Sequence, residues 1–179
     1  KFIYVVADRC PENTGDYVQE NSVDSRVRVI RHEHNLGVGG ATVSGIRAAL
    51  LDGADIVVKL DGDGQYDPAL IPLLIEPILT GVADVAKGNR FYNLDNLTAM
   101  PLIRKFGNAA LSFASKLVSG YWNVMDPTNG FIALHANVLR QIPLDRLDKR
   151  YYFESDLLVR LNICRAVIHD VPLAAFYAN

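Results

Sequence analysis

The chain has 179 residues, half of them hydrophobic and 21% charged, with a formal net charge of −2. That length suits one globular domain with a real core, and the near-neutral balance excludes a global basic field that would recruit nucleic acid. No apolar run approaches the roughly 18 residues that a membrane span needs; the best, residues 69–79, is interrupted by Pro72, Glu76 and Pro77.

Residues 1–7 are apolar and β-rich, which predicts a strand. Turn chemistry with Pro11 and Asn13 fills 8–14, and 16–21 suit a short helix. Residues 26–31 alternate basic and apolar side chains, the pattern of a half-exposed strand. A glycine cluster at 37–40 leads into 41–51, where the apolar spacing is helical. Residues 55–60 predict a buried strand, and Pro68 opens a helix reaching Thr80. A strand at 83–87, a long helical period at 102–119, a strand at 130–135 and a short helix near 137–141 come next. A helix over 153–164 and a strand over 166–171 close the pattern. Strands alternating with helices predict an α/β fold, with a mostly parallel sheet flanked by helices in a single domain over 1–179. The chain begins inside a strand-like run, lacks a signal peptide and stops without a terminal helix, so it is expected to be a piece of a longer protein.

The strongest chemical feature is Asp61-Gly62-Asp63, placed directly after the apolar run of 56–60. In an extended chain residues i and i+2 point the same way, so both carboxylates are expected to face one point. Gly62 is expected to let the backbone turn there. Paired hard oxygens suit Mg2+ or Mn2+, which shares its remaining positions with water and substrate phosphates, and the C-terminal edge of a sheet is where open α/β domains bind ligands. An EF-hand reading fails because its twelfth position, which needs Glu, falls on Pro72.

The other signals are weaker alone. Asn35, Gly37, Gly39 and Gly40 suit either a phosphate loop at a helix start or close helix–sheet packing. Lys87 and Arg90 flank a strand end and can neutralise a diphosphate; beside the Asp61 site this reading favours Arg90. Arg104 and Lys105 open a helix and are candidates to meet an anionic acceptor. Thr128 and Asn129 lie in a polar turn over 126–131. Glu154 and Asp156 stand two apart at a helix start, where acids also suit the helix dipole. Cys10 and Cys164 read as reduced thiols, and His32, His34, His135 and His169 as structural or surface histidines.

Together the segments VVADRCPENT, HNLGVGGATVSGIRAAL, VVKLDGDGQYDP, DVAKGNRF, RKFGNAALS, DPTNGF, YYFESDLL and DVPLAAFY resemble a family 2 glycosyltransferase of the GT-A fold. They cover nearly the whole chain and are most similar to the branch of dolichyl-phosphate mannose synthases and bacterial polyprenyl-phosphate glycosyltransferases. The resemblance implies an inverting, metal-dependent hexosyl transfer from a nucleotide-diphosphate sugar to a polyprenyl phosphate or a glycan hydroxyl. It implies that Asp61 and Asp63 hold Mg2+ or Mn2+, that Asp8, Asp61, Gln65 and Arg90 bind the donor, and that Asp156 acts as base. Arg104, Lys105, Thr128 and Asn129 become acceptor-binding candidates. The family's PxYNE-like opening strand and its later apolar segments are absent, so membrane association through such segments, at the cytoplasmic face of a cell-envelope membrane, is an expectation for the full-length protein. Where the family usually has two acidic residues, the chain has Ala7 and Asp8.

Two other classes fit part of the pattern. A haloacid-dehalogenase-type phosphohydrolase also puts DxD after a strand, but its first Asp is the nucleophile, a Thr or Val stands where this chain has Gln65, and the motif opens its fold. A non-catalytic sugar-nucleotide-binding domain fits Ala7 and the missing ends.

Overall fold

The computed structural model describes residues 1–90, 113 and 116–174. Among these, the elements follow the predicted order. They are β1 (Ile3–Ala7), α1 (Thr14–Asn21), β2 (Val27–Arg31), α2 (Gly37–Leu51), β3 (Ile56–Lys59), α3 (Ile71–Leu79), β4 (Val85–Asn89), β5 (Ile132–His135), α4 (Ala136–Leu139), α5 (Phe153–Ile163) and β6 (Ile168–Pro172). A 3-10 turn, Pro68–Leu70, precedes α3, with the Asp67 side chain accepting the Ala69 N–H as its cap. Most of the helix expected over 102–119 lies outside the described residues; residues 113 and 116–119 are helical.

The strands form a parallel pair, β1–β2, and a four-stranded sheet in the order β3-β5-β4-β6. In the larger sheet β4 and β6 run parallel, while β5 lies antiparallel between β3 and β4. Three of its four strands therefore point one way. The N-terminal end of β5 meets the C-terminal ends of β3, β4 and β6 along a single edge.

Side chains of a strand alternate between faces, and here each face has its own core. Val85, Ile132, Leu134 and Ile168 join a cluster with Ile46 of α2 and Phe153, Leu157, Leu158 and Leu161 of α5. Ala86, Phe131, Ala133 and Val171 join Tyr66 with Leu74 and Ile78 of α3. Both sheet faces are thus covered, as a mostly parallel sheet requires. Every residue of β4 is buried. The expectation of a buried strand at 55–60 is corrected: β3 is half-buried throughout, because it is the edge of its sheet.

The glycine cluster starts α2, and packing explains it. A Cβ on Gly39 would come within 2.8 Å of the Phe153 ring, and one on Gly40 within 2.6 Å of Leu36 Cβ. The Gly39 and Gly40 N–H groups both donate to the Lys149 carbonyl, at 3.0 and 3.2 Å. With these donors engaged, close packing, not a phosphate loop, accounts for the cluster.

Candidate active site

The edge shared by β3, β4, β5 and β6 carries most of the chemistry. β3 ends at Lys59, so the residues in extended register are Lys59 and Asp61. They do meet: Lys59 Nζ donates to Asp61 Oδ1 at 2.7 Å and Oδ2 at 2.9 Å. The expectation that Asp61 and Asp63 share one strand face is corrected, because 62–63 form a turn. Asp63 Oδ1 accepts the Gln65 N–H at 3.0 Å. The left-handed residue of the turn is Gly64, at φ 75°, not Gly62.

Lys59 joins further elements. Its Nζ lies 3.4 Å from the Gly130 carbonyl, just before β5, and 3.4 Å from Glu154 Oε1, in the first turn of α5. Its side chain is only 9% exposed, against 42% for Asp61. Gly130 leaves the space that this group fills. A Cβ there would sit 2.5 Å from Lys59 Nζ and would overlap Asp61 Oδ2.

β4 brings a second group. Lys87 is buried and its ammonium donates to the Asn129 carbonyl. Burial pushes its pKa down to about 8, against the pull of Asp126 and Glu154. Arg90 forms a bidentate pair with the fully buried Asp126, Nε to Oδ2 at 2.7 Å and Nη2 to Oδ1 at 3.0 Å. The Asn89 amide donates to Asp170, whose carboxyl is raised by burial despite the Met125 N–H and Lys87.

Several expected contacts are built differently. The Asn129 side chain is buried; its Nδ2 donates to Tyr66 Oη at 2.5 Å and the Gly88 carbonyl at 2.6 Å, and its Oδ1 accepts the Phe131 N–H. These bonds clamp Asn129 within the fold, while its neighbour Thr128 is exposed. Asp8 starts α2: Oδ1 accepts the Leu36 N–H and Oδ2 the Gly37 N–H, both at 2.7 Å, and His32 Nδ1 lies 2.8 Å from Oδ1. Burial works to raise the Asp8 carboxyl, but the Leu36, His32 and Gly37 bonds outweigh it and hold it low. Asp156 is committed within the fold, with Arg160 Nε on Oδ1 at 3.0 Å and the Asp148 N–H on Oδ2 at 2.9 Å. Arg104 and Lys105 lie outside the described residues. Cys10 and Cys164 are free thiols. Beside the end of β1 a cleft of about 460 Å³ opens, lined by Arg9, Cys10, Thr14, Arg31 and His32.

Lys59 was not singled out from the sequence, and Glu154 only as the neighbour of Asp156. The signal for Lys59 is a lone charge in an otherwise apolar strand, two residues before Asp61. For Glu154 it is helix geometry: residues two apart on a helix do not share a face, so at most one of Glu154 and Asp156 turns toward the sheet edge.

Among the described residues no three His, Cys, Asp or Glu side chains converge on one metal position. The donor set nevertheless fits a hard divalent cation of the Mg2+ or Mn2+ kind. Such an ion takes one or two carboxylates and leaves its other positions to water and phosphate. Asp61 and Asp63 are both exposed.

The family description Glycosyl transferase family 2 matches residues 2–143. UDP-N-acetylglucosamine–dolichyl-phosphate N-acetylglucosaminyltransferase of Methanococcus voltae is 36% identical over 154 residues, 86% of this chain and 61% of that protein. Undecaprenyl-phosphate mannosyltransferase of Micrococcus luteus is 33% identical over 173 residues, 96% of this chain and 70% of its own length. The chain thus spans about three fifths to seven tenths of these relatives. Among solved structures, glucosyl-3-phosphoglycerate synthase from Mycobacterium tuberculosis, in complex with Mn2+, UDP-glucose and phosphoglyceric acid, superposes with a TM-score of 0.69. The identity is 22%, covering 98% of this chain and 60% of that one. At that identity the likeness establishes the fold, which is the expected GT-A one.

Proposed function

The chain belongs to glycosyl transferase family 2, and from that premise we propose that it forms the catalytic part of an inverting enzyme. The enzyme would transfer a sugar from a nucleotide-diphosphate donor to a polyprenyl phosphate, with Mg2+ or Mn2+ at Asp61 and Asp63. One observation carries the reading: the Asp61/Asp63 turn stands at the sheet edge where β3, β4 and β6 end, beside Gly130, whose lack of a side chain lets Asp61 and Lys59 pack there. The two curated relatives are named for transfer to dolichyl and undecaprenyl phosphate, which supports this acceptor class.

A divalent ion, when bound, offsets the charge that develops on the departing nucleotide diphosphate. The chain's own residues then orient and stabilise. Asp61 and Asp63 anchor the diphosphate end of the donor, and Gln65 follows them on the same turn. Arg90 is already paired with Asp126, so its contribution is a fixed guanidinium–carboxylate group in the floor of the site, not a lone cation. Asp8 shapes the start of α2 and reaches the nucleotide through that loop.

The acceptor follows from proton accounting. A sugar hydroxyl must lose a proton as it attacks and needs a base within reach. Asp156, the base that the family resemblance implies, has both oxygens engaged by Arg160 and the Asp148 N–H. A lipid phosphate is anionic near pH 7 and attacks without that help. Polyprenyl phosphate is therefore preferred over a glycan hydroxyl, with Arg104 and Lys105 as its proposed phosphate contacts. Association with a membrane, at its cytoplasmic face, would rest on the full-length protein; no helix among the described residues is long and apolar enough to cross one.

The test is transfer of labelled sugar from UDP- and GDP-sugars to polyprenyl phosphate by the full-length protein, with and without Mn2+. Lipid-linked product that needs Mn2+ and vanishes in Asp63→Asn supports the reading. Nucleotide binding without transfer would favour a non-catalytic binding domain, and phosphate release from simple phosphoesters a phosphohydrolase.

A further inference from the structure

Lys59 holds a position that the proposed reaction does not use. Its ammonium makes its two short contacts to Asp61, at 2.7 and 2.9 Å, and keeps Glu154 in reserve at 3.4 Å. Its side chain is 9% exposed and that of Glu154 17%, so water has little access to the ammonium from the Glu154 side. A largely buried ammonium that loses its nearest carboxylate is unfavourable unless a second anion closes on it. Any ligand that takes the oxygens of Asp61 must therefore leave Lys59 another anion, and Glu154 is the one in place. Gly130 adds a second, independent sign that this spot is built: any side chain there would collide with both Asp61 and Lys59.

We infer that Lys59 is a resident counter-cation that occupies Asp61 in the ligand-free protein and passes to Glu154 when Asp61 is given up to a divalent ion. Lys59 is thus a positioning residue that tunes ion affinity through Asp61. The hand-over also ties the sheet edge to α5, because Glu154 lies in that helix's first turn. α5 in turn holds residue 148 through Asp156, and the adjacent Lys149 carbonyl receives the Gly39 and Gly40 N–H groups of α2. Ion binding at Asp61 would be felt there through a single chain of contacts. The inference rests on the reading that the ion binds at Asp61 and Asp63.

The test is Mn2+ affinity in the full-length protein, by calorimetry and by Mn2+ electron paramagnetic resonance, with UDP present and absent. Lys59→Met removes the competitor and is expected to tighten Mn2+ binding about tenfold, in the range of couplings between contacting groups. Glu154→Gln strands Lys59 on Asp61 and is expected to weaken binding by a similar factor. The decisive arm is the double variant: with Lys59 already Met, Glu154→Gln should have little further effect. Equal effects of Glu154→Gln in both backgrounds would mean a plain charge effect and would overturn the hand-over. If Lys59→Met does not fold, Lys59→Arg, whose fork grips a carboxylate more firmly, should weaken Mn2+ binding; unchanged affinity overturns the inference. Asp63→Asn separates the two layers. Mn2+ binding that survives in it removes the ion site and this inference together, whereas its loss there alongside an unaffected Lys59→Met removes the inference alone.

Discussion

Replacing Gly130 with Ala is the sharpest structural perturbation of the site. Gly130 is not one of the left-handed glycines, so its backbone accepts a Cβ. The new methyl would lie 2.5 Å from Lys59 Nζ and 3.1 Å from Asp61 Cγ, and would overlap Asp61 Oδ2. Ordinary contact begins at 3.4 Å, so the ammonium must retreat by about 0.9 Å and the carboxylate must swing away with it. A displacement of about 1 Å at a reacting centre costs on the order of 10²-fold in rate, or about 2.7 kcal/mol in the barrier. The fold should tolerate the change, because Gly→Ala at a permitted φ restricts the unfolded chain by about 0.4–1 kcal/mol and offsets part of the crowding. The assay is kcat/KM for lipid-linked product beside a thermal melt. A loss near 10²-fold with a melting point close to wild type is expected. Undiminished turnover in a folded Gly130→Ala would show that the position of Asp61 against Gly130 is irrelevant to catalysis, and would refute the reasoning.

Three further outcomes follow from the same edge. Asp126→Asn removes the fully buried carboxylate of a pair whose guanidinium is 20% exposed and should cost about 3 kcal/mol, the lower end for breaking a buried pair, a fall of about 6–12 °C in melting temperature for a domain of this size; an unchanged melt would mean that the Arg90–Asp126 pair is not formed. Lys87 has its pKa pushed down from 10.5 to about 8, so between those values the unfolded chain holds a proton that the folded chain has lost, and stability rises with pH across that window. Below pH 8 the buried charge opposes folding by about 3 kcal/mol. Urea unfolding should show the rise beginning near pH 8, and Lys87→Met should abolish it. The comparison belongs below pH 10, because Tyr121 is raised to about 12 by burial and removes stability above its ordinary value of 10. Asp156→Asn weakens the contacts to Arg160 and Asp148, so it should lower the melting point while sparing turnover with polyprenyl phosphate; a large fall in kcat with an unmoved melt would restore Asp156 as a base.

The elements were legible because each face carries its period. Val85, Ile132, Leu134 and Ile168 fall on one side of the sheet, and Ala86, Ala133 and Val171 on the other, as their spacing requires. Strand order was not legible. Nothing local to 132–135 tells that this strand runs antiparallel between β3 and β4, because pairing is settled by contacts far apart in sequence. The half-exposure of β3 followed from the same gap, since its composition reads as central while its place is an edge. At the site, Asp61 and Asp63 were visible as a motif, but their partners were not. Arg90 finds Asp126 across 36 positions and Lys59 finds Glu154 across 95. The glycine cluster left two readings open, and the Lys149 carbonyl that decides between them comes from a distant loop.

The most direct measurement is a crystal of the full-length protein grown with UDP and Mn2+, with manganese located by its anomalous signal. The account predicts one manganese between the carboxylates of Asp61 and Asp63, touching diphosphate oxygens, with Lys59 turned to Glu154. A bound nucleotide with manganese elsewhere, or with both carboxylates untouched, would contradict it.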